Sequence, residues 1–359
     1  MSVSAKQSSI SPGLLQKAGF KDIAVLLLAV ATLTLMVGAT CLGAINLTPF
    51  EVLTLIGNKI GITNIAIENP QAEIIFWKLR LPRVLMAVIV GAALAQAGAA
   101  MQGLFRNPLA EPGLLGVSAG AALAAVVTIL FASWLPQWLP VLFLLPVAAF
   151  FGGIIATVTV YKLSQINGQS QVGTMLLAGI AINALAGAGI GLCINFADDA
   201  QLRSITFWNL GSLAGATWQV LGILTPIVIG GGLLLYTLGR RLDAFLLGEA
   251  EALHLGINVE QTKLLVVGIA AMLTGTAVAF CGVIGFIGLV VPHLIRLSLG
   301  PSQQRLVLAS GILGGFLLLA GDLGARTVIA PAELPIGILT SLIGGPFFIW
   351  LLLRQKNRL

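Results

Sequence analysis

The sequence predicts an all-α integral membrane protein with ten transmembrane helices, on three observations. Of its 359 residues, 58% are hydrophobic and only 9% are charged, which is too few charged side chains to cover a water-soluble globule of this size. The mean hydropathy of +1.02 agrees with this. Uncharged stretches that are long enough for the roughly 20 helical residues that cross a bilayer recur along the chain. Most of the surface is therefore expected to face lipid.

The gaps between charged residues place the helices in order. Six uncharged gaps account for the first eight helices: 23–50, 84–105, 112–161, 163–197, 204–239 and 264–295. The gap at 112–161 holds two helices, because WLPQWLP at 134–140 supplies a turn with interfacial tryptophans. The last gap is just long enough for two short helices, broken at CGVIGFIG, residues 281–288.

Two further helices complete the set, at 305–324 and at 336–353, the second of them after the helix breakers Pro331 and Pro335. The predicted division of the chain is an N-terminal tail at 1–21, a single transmembrane domain at 22–353 with its largest inner loop at 239–262, and a C-terminal tail at 354–359.

An even number of helices places both termini on one side of the membrane, and the distribution of positive charge indicates which side. Six of the 19 Lys and Arg fall on the side opposite to the termini: Lys59, Lys78, Arg80, Arg83, Arg203 and Arg326. The other thirteen fall on the side of the termini. Because cytoplasmic segments carry the excess of Lys and Arg, both termini and both tails are predicted to be cytoplasmic.

Several kinds of function are not indicated. The basic residues are scattered rather than clustered, despite a pI near 9.6, so nucleic-acid binding is not predicted. Cys41, Cys193 and Cys281 lie alone in apolar segments, which predicts neither disulfides nor a metal site. The chain contains no Walker A pattern and is not expected to bind ATP by a phosphate loop of its own.

One motif raises the alternative of an enzyme. Residues 116–120, GVSAG, match the G-x-S-x-G pattern that exposes a nucleophilic serine in hydrolases. No strand is predicted before Ser118, and the only histidines that could serve as a base are His254 and His293. Small residues at this spacing are typical of close helix packing in membranes. Packing is therefore the favoured interpretation, and no catalytic residue is predicted.

The stretch QGLFRNPLAEPGLLG at 102–116 interrupts two long apolar runs on the predicted cytoplasmic side. It is either a tight loop or a constriction that lines a pathway, because irregular backbone at membrane depth is tolerated where it lines a cavity.

Four motifs carry a resemblance to a known family. They are RLPRVL at 80–85, GLFRNPLAEPGLLGVSAGAALA at 103–124, GFIGLVVPHLIR at 285–296 and AELPIGILTSLIGGPFFIWLLL at 332–353. In this order they resemble the permease subunits of ABC importers for cobalamin, iron chelates and haem, of the FecCD/BtuC type. The resemblance implies a BtuC-like type II importer fold with ten helices, which agrees with the count made from charges.

The resemblance also implies an assembly. It would contain two copies of the permease, two cytoplasmic ABC ATPase subunits that hold the ATP and magnesium, and one periplasmic substrate-binding protein, in the inner membrane of a bacterium. The small-residue stretch GAALAQAGAA at 91–100 is expected to contribute to the homodimer interface.

The resemblance assigns roles to three groups of residues. Arg80, Arg83 and Arg326 would dock carboxylates of the binding protein, although these residues could instead anchor helix ends at lipid headgroups. The inner loop, hinged at Gly248, would couple to the ATPase through Leu246, Gly248, Glu249, Ala252, Leu253, Leu255 and Gly256, with Leu242 and Phe245 as further contact candidates. The cytoplasmic gate would comprise Asn107, Leu109, Val172 and Gly173.

The substrate is the least determined feature. SITFWNLGSLAGATW at 204–218 resembles the outer segment of haem-type members, which favours haem, followed by a ferric siderophore and then cobalamin. A secondary transporter remains an alternative, but it should show an ionisable residue near the bilayer midplane. Asp322 and His293 are both predicted near helix ends.

Overall fold

The computed structural model describes residues 12–43, 45, 47–63, 65, 70–134, 141–329 and 332–356. Its α-helices are α1 Pro12–Cys41, α2 Pro49–Lys59, α3 Pro70–Ile74, α4 Leu81–Phe105, α5 Val117–Leu130, α6 Val141–Leu163, α7 Val172–Phe196, α8 Asp199–Leu210, α9 Trp218–Phe245, α10 Glu249–His254, α11 Val259–Cys281, α12 Ile287–Leu299, α13 Gln303–Thr327 and α14 Ile336–Lys356. A π-helical segment, Ile75–Arg80, joins α3 to α4, and 3-10 helices lie at Pro112–Leu115 and Ala132–Trp134. Strands β1 Gln165–Ile166 and β2 Gln169–Ser170 pair as a short antiparallel hairpin before α7.

The predicted number of membrane helices is confirmed. In the part of the chain that the structure describes, seven helices are long and apolar enough to cross a membrane, namely α1, α4, α6, α7, α9, α11 and α13. The shorter apolar helices α5, α12 and α14 bring the number to ten. The predicted break at 281–288 is also confirmed, since α11 ends at Cys281 and α12 begins at Ile287. Of the predicted turn at 134–140, residues 135–140 lie outside the described residues.

Helix boundaries differ from the predictions at two places. The first helix begins at Pro12, inside the predicted tail. The second is part of a continuous apolar helix over Gln71–Phe105, so Arg80 and Arg83 lie within it rather than at its end. Charge gaps cannot reveal such a helix, because they end a membrane helix at every charged residue. An arginine that has a partner inside the protein can instead lie within a helix.

Helix α2 was not predicted, although its signal is present in the sequence. The Glu51 backbone N–H donates to the Thr48 hydroxyl, and the Thr48 backbone N–H donates to the Glu51 carboxylate at 2.7 Å. This reciprocal capping box, followed by Pro49 in the first turn, is a sequence-level helix start. The helix is amphipathic and buries Val52 and Leu55 against the outer part of the bundle.

Helix α4 forms the centre of the bundle and packs against α9, α11, α12 and α13. Two close backbone approaches depend on glycine. A Cβ at Gly91 would overlap the Gly314 carbonyl of α13, and a Cβ at Gly98 would overlap the Gly288 carbonyl of α12. Small residues at such contacts let helix backbones approach closely where lipid provides no hydrophobic driving force between helices. Substituting either glycine by a larger residue would separate these helices.

The small-residue stretch at 91–100 lies inside this core, so its predicted role in a homodimer interface is wrong. Ala93, Ala95, Ala97 and Ala99 in this stretch are fully buried within a single chain. By contrast, only 11% of the most apolar window of α7 is buried, against 72% for α4. Helix α7 therefore offers much apolar surface to lipid or to another protein.

Candidate functional site

On the predicted outer side, two arginines bind the end of α1. Arg80 Nη1 donates to the Thr40 and Cys41 carbonyl oxygens at 2.9 Å and 3.0 Å. Arg326 Nη2 donates to the Ala39 carbonyl oxygen at 2.6 Å. The last carbonyls of a helix have no partner within it and carry partial negative charge, so these two guanidinium groups stabilise the helix end.

A carboxylate buried between two arginines completes this cluster. Asp322, only 1% exposed, accepts from Arg83 at 2.9 Å and lies 3.5 Å from Arg326 Nε. Arg83 also binds the exposed Glu333 at 3.0 Å. Asp322 and Arg326 are four residues apart on α13, which places their side chains on the same face of the helix. We refer to Arg80, Arg83, Asp322, Arg326 and Glu333 as the outer charge cluster.

The structure therefore brings the three predicted docking arginines together, but gives them internal partners. Arg80 and Arg326 are buried, at 6% and 9% exposure. The Arg83 side chain is 15% exposed and shares its guanidinium with the more exposed Glu333. The two predicted roles, docking of a partner and anchoring at headgroups, do not account for the hydrogen bonds of Arg80 and Arg326 to the end of α1. Docking of a partner stays a prediction, for which Arg83 and Glu333 provide the accessible groups.

On the opposite side, the polar interruption folds as a compact turn. Arg106 ends α4 in the left-handed conformation, with φ of 50°. The Asn107 side-chain oxygen then accepts from the Leu109 backbone N–H at 2.9 Å, and the Ala110 N–H donates to the Asn107 carbonyl at 3.1 Å. Asn107 and Leu109 are half-buried. The predicted gate residue Asn107 is thus the hydrogen-bonded centre of the turn.

Helix α7 packs directly on the 3-10 helix that follows this turn. The Asn183 side-chain amide donates to the Gly113 carbonyl at 3.2 Å. Gly179 allows α7 to approach the Leu114 carbonyl too closely for any side chain. Val172 and Gly173, the other predicted gate residues, lie at the start of the same helix. Helix α7 therefore connects Val172 and Gly173 to the 3-10 helix that follows the turn at Asn107.

A cavity of about 380 Å³ opens above this turn. Four of its lining residues are polar: Glu111, Ser118, Asn183 and Thr274. Burial raises the pKa of Glu111, which favours its neutral form. Neither of the histidines considered as a base, His254 and His293, is among the residues that line the cavity beside Ser118. The G-x-S-x-G match lies instead at the start of α5, where Gly120 packs against α6.

The inner loop folds as a short helix set off from α9 by a glycine hinge. Gly248 has φ of 127°, a conformation that favours glycine, and α10 begins at the next residue. The helical chain is thus interrupted at Gly248, where the hinge was predicted, and the residues before it form the end of α9. Leu253 and Leu255 are exposed, at 63% and 64%, as is Leu246 at 40%.

Three of the predicted coupling residues in this loop face inward. Ala252 is fully buried, and so are Leu242 and Phe245 in the last turn of α9. The assignment of Leu242, Phe245 and Ala252 as direct partner contacts is therefore wrong, because all three side chains pack in the chain's own core. The exposed leucines are the ones that a partner could reach.

Sequence reasoning missed the polar cluster that holds this loop to the bundle. Lys263, 1% exposed, binds Glu249 at 2.7 Å and Glu260 at 3.3 Å, and donates to the Ser170 carbonyl at 2.6 Å. We refer to Ser170, Glu249, Glu260 and Lys263, which lie on the predicted cytoplasmic side, as the cytoplasmic junction. Only the Glu260 to Lys263 spacing is visible in the sequence, since the other partners are distant along the chain.

Comparison with known proteins identifies this arrangement. Residues 26–354 match the FecCD transport family. The hemin transport system permease protein HmuU of Yersinia pestis is 48% identical over 284 residues, which cover 79% of this chain and 84% of that protein. The cobalamin import system permease protein BtuC of Halobacterium salinarum is 41% identical, over 80% of this chain and 75% of that protein.

A vitamin B12 import system permease protein, BtuC of Vibrio cholerae, is 38% identical over 85% of this chain and 91% of that protein. Among solved structures, an inward-facing metal-chelate type ABC transporter superposes with a TM-score of 0.81 at 29% identity, covering 93% of this chain and 99% of that one. The family match at residues 26–354 includes residues of all ten membrane helices. The chain is an ABC importer permease of the FecCD/BtuC type and belongs to the FecCD transport family.

Proposed function

We propose that this permease carries haem, or another ferric chelate, from the periplasm to the cytoplasm. It works as a homodimer in the inner membrane of a bacterium, with both termini cytoplasmic. Two separate ABC ATPase subunits hydrolyse ATP on the cytoplasmic side, and a periplasmic binding protein delivers the substrate. The chain itself performs no chemistry and supplies the pathway, the gate and the coupling surface.

One observation supports this proposal: in a chain of the FecCD family, helix α10 carries an exposed leucine and is connected through Lys263 to Ser170, two residues before α7. An importer needs a cytoplasmic element that an ATPase can push and a constriction that responds to it. The exposed Leu253 and Leu255 supply the first element, and the turn at Asn107 together with the start of α7 supplies the second.

The preference for haem rests on similarity, and one cavity indicates how haem would pass. The hemin permease of Yersinia pestis is more similar to this chain than the cobalamin permeases cited above, at 48% against 41% and 38% identity. A cavity of about 640 Å³ is lined by residues of the 204–218 segment, including Phe207 and Trp208, and by Phe280 of α11. Among the described residues that line it, none is a histidine or a tyrosine. Haem would therefore pass by shape and apolar contact rather than by iron ligation.

The docking side of the proposal concerns the outer charge cluster. A carboxylate of the binding protein would approach Arg83 and compete with Glu333 for its guanidinium. Planar guanidinium groups suit such bidentate contacts at interfaces. Arg80 and Arg326 would not contact the binding protein directly. They would hold the docking surface in place, through their bonds to the end of α1 and through the contact of Arg326 with Asp322.

Transport by the reconstituted assembly tests the substrate and the energy source together. The permease, its ATPase and its binding protein are placed in liposomes, and uptake of haem, of a ferric siderophore and of cobalamin is measured with and without ATP. We expect haem uptake that requires ATP. ATP-dependent cobalamin uptake without haem uptake would favour the alternative suggested by the BtuC relatives. Uptake that follows an ion gradient without ATP would contradict the importer mechanism.

A further inference from the structure

Lys263 joins three separate elements at the cytoplasmic end of the bundle. An ammonium group has three N–H donors, and each one here has a different acceptor. The acceptors are the Ser170 carbonyl at 2.6 Å, the Glu249 carboxylate at 2.7 Å and the Glu260 carboxylate at 3.3 Å. These belong to the β-hairpin, to α10 and to α11, so one buried side chain connects all three.

The hairpin is held at this point by a second set of bonds. The Ser170 backbone N–H and its hydroxyl both donate to Glu260 Oε2, at 3.0 Å and 2.8 Å. Ser170 is 2% exposed and stands two residues before Val172, the first residue of α7. A displacement of Lys263 should therefore also displace the start of α7, because charge-assisted hydrogen bonds are short and strong.

The hinge before α10 lies near the residue that precedes the other predicted gate segment. The Arg106 guanidinium, just after α4, lies 3.9 Å from the position that a Cβ would take at Gly248. Helix α10 begins at Glu249, directly after this hinge. The hinge thus allows α10 to tilt, while Glu249 ties its first turn to Lys263.

We propose that Lys263 is a positioning residue that transmits movement of α10 to the gate at the start of α7. The inference rests on the proposed function, in which the ATPase moves α10. When α10 tilts, the Glu249 carboxylate pulls the ammonium group, and the ammonium group pulls the Ser170 carbonyl that leads into α7. Contiguous hydrogen bonds and ion pairs of this kind are able to carry coupling between distant sites.

Two substitutions remove different numbers of the bonds that Lys263 makes. Lys263→Met removes all three bonds at similar side-chain length, and Glu249→Gln weakens only the bond to α10. Glu249 and Glu260 side chains are 36% and 32% exposed, so water can solvate them when the ammonium group is lost and the chain should still fold. Asp22→Asn is the matched control, because it removes an exposed pair with Arg305, 3.7 Å apart, at the same membrane face.

The measurement is substrate imported per ATP hydrolysed by the full complex in liposomes, a ratio that does not depend on the amount of folded protein. We expect Lys263→Met to lower this ratio about five- to tenfold and Glu249→Gln to lower it less, with Asp22→Asn unchanged. An unchanged ratio in both junction variants would overturn the proposal. A wild-type complex that hydrolyses ATP without any import would instead contradict the proposed function.

A cross-link separates transmission from a merely structural role. Ala250 on α10 and Gln169 on the hairpin line the same cytoplasmic cavity of about 550 Å³. With Cys193 replaced by Ala, cysteines at these two positions are joined by a short bis-maleimide in the Lys263→Met background. We expect the cross-link to restore most of the import per ATP, because it replaces the lost connection. A cross-linked variant that remains uncoupled would show that the ammonium group does more than join the two elements, and would overturn the proposal.

Discussion

The outer charge cluster and the cytoplasmic junction both bury basic side chains, but they bind different kinds of partner. Outside, Arg80 and Arg326 donate to backbone carbonyls at the end of α1, which are fixed in place by the helix. Inside, Lys263 binds two half-exposed carboxylates and one carbonyl on three elements. The first arrangement holds a helix end in place, whereas the second connects three segments that the proposed coupling requires to move together.

The first way to break this comparison is to remove the buried centre of the outer charge cluster. Asp322→Asn leaves Arg83 and Arg326 without their shared carboxylate, and breaking a buried ion pair in this way costs about 3 to 5 kcal/mol. We expect a loss of this size in the free energy of unfolding, measured by SDS titration in mixed micelles. Glu333→Gln is the control, because Glu333 is exposed and its removal should cost less than about 1 kcal/mol. Equal losses in the two variants would contradict a buried anchor.

Capping of α1 by arginine is tested by Arg80→Met. Buried carbonyls that lose their donor cost about 1 to 3 kcal/mol in total stability, and the effect should be concentrated at the end of α1. We expect faster hydrogen exchange in peptides that cover residues 36–47, with α4 unaffected. Lys78→Met, at an exposed position two residues earlier, is the matched control. Unchanged exchange in the Arg80 variant would show that α1 does not need this cap.

Docking at the outer face is tested by releasing Arg83 from its exposed partner. In Glu333→Gln the Arg83 guanidinium loses a competing carboxylate, so a binding-protein carboxylate should bind more tightly, by about two- to fivefold in Kd. The change should shrink as salt is added, since exposed charges are screened. Surface plasmon resonance with the binding protein at several salt concentrations measures both effects. A Kd that does not change would remove Arg83 from the docking surface.

The smallest expected effect concerns Glu111, beside the cavity at the cytoplasmic turn. Burial raises the pKa of Glu111 above its ordinary value of 4.5. A raised pKa in the folded state contributes stability that is complete below the ordinary pKa and is lost as the pH rises through the folded pKa. Relative to Glu111→Gln, the wild type should therefore melt at a progressively lower temperature as the pH increases. Parallel melting curves at all pH values would contradict this.

The number and order of the membrane helices could be predicted from the sequence, because charge is excluded from hydrocarbon unless it is paired. The same rule explains the failures. Arg83 lies within a continuous helix because Asp322 and Glu333 pair with it, and Arg80 does so because the α1 carbonyls accept its hydrogen bonds. These partners are distant in sequence. Helix α2 was predictable from its capping box and was overlooked.

The candidate sites were predictable by resemblance to different degrees. Exposure of Leu253 and Leu255 agrees with their predicted role, whereas burial of Leu242 and Phe245 follows from side-chain direction in α9, which a spacing pattern does not fix. The Lys263 contacts could not be predicted, since Ser170 is 93 residues away along the chain. The stretch at 91–100 was misassigned because small residues serve packing within a chain and between chains equally well.

Import per ATP in the Leu253→Asp variant tests the central claim most directly. Leu253 is 63% exposed on α10, so the substitution leaves the core intact and places a charge where the ATPase is proposed to bind. Ile62→Asp, at a 76% exposed position predicted to lie on the outer side, is the matched control for the same change of chemistry. We predict that the ratio of substrate imported to ATP hydrolysed falls about tenfold for Leu253→Asp. A ratio equal to that of the wild type would contradict the assignment of α10 as the element through which ATP hydrolysis drives transport.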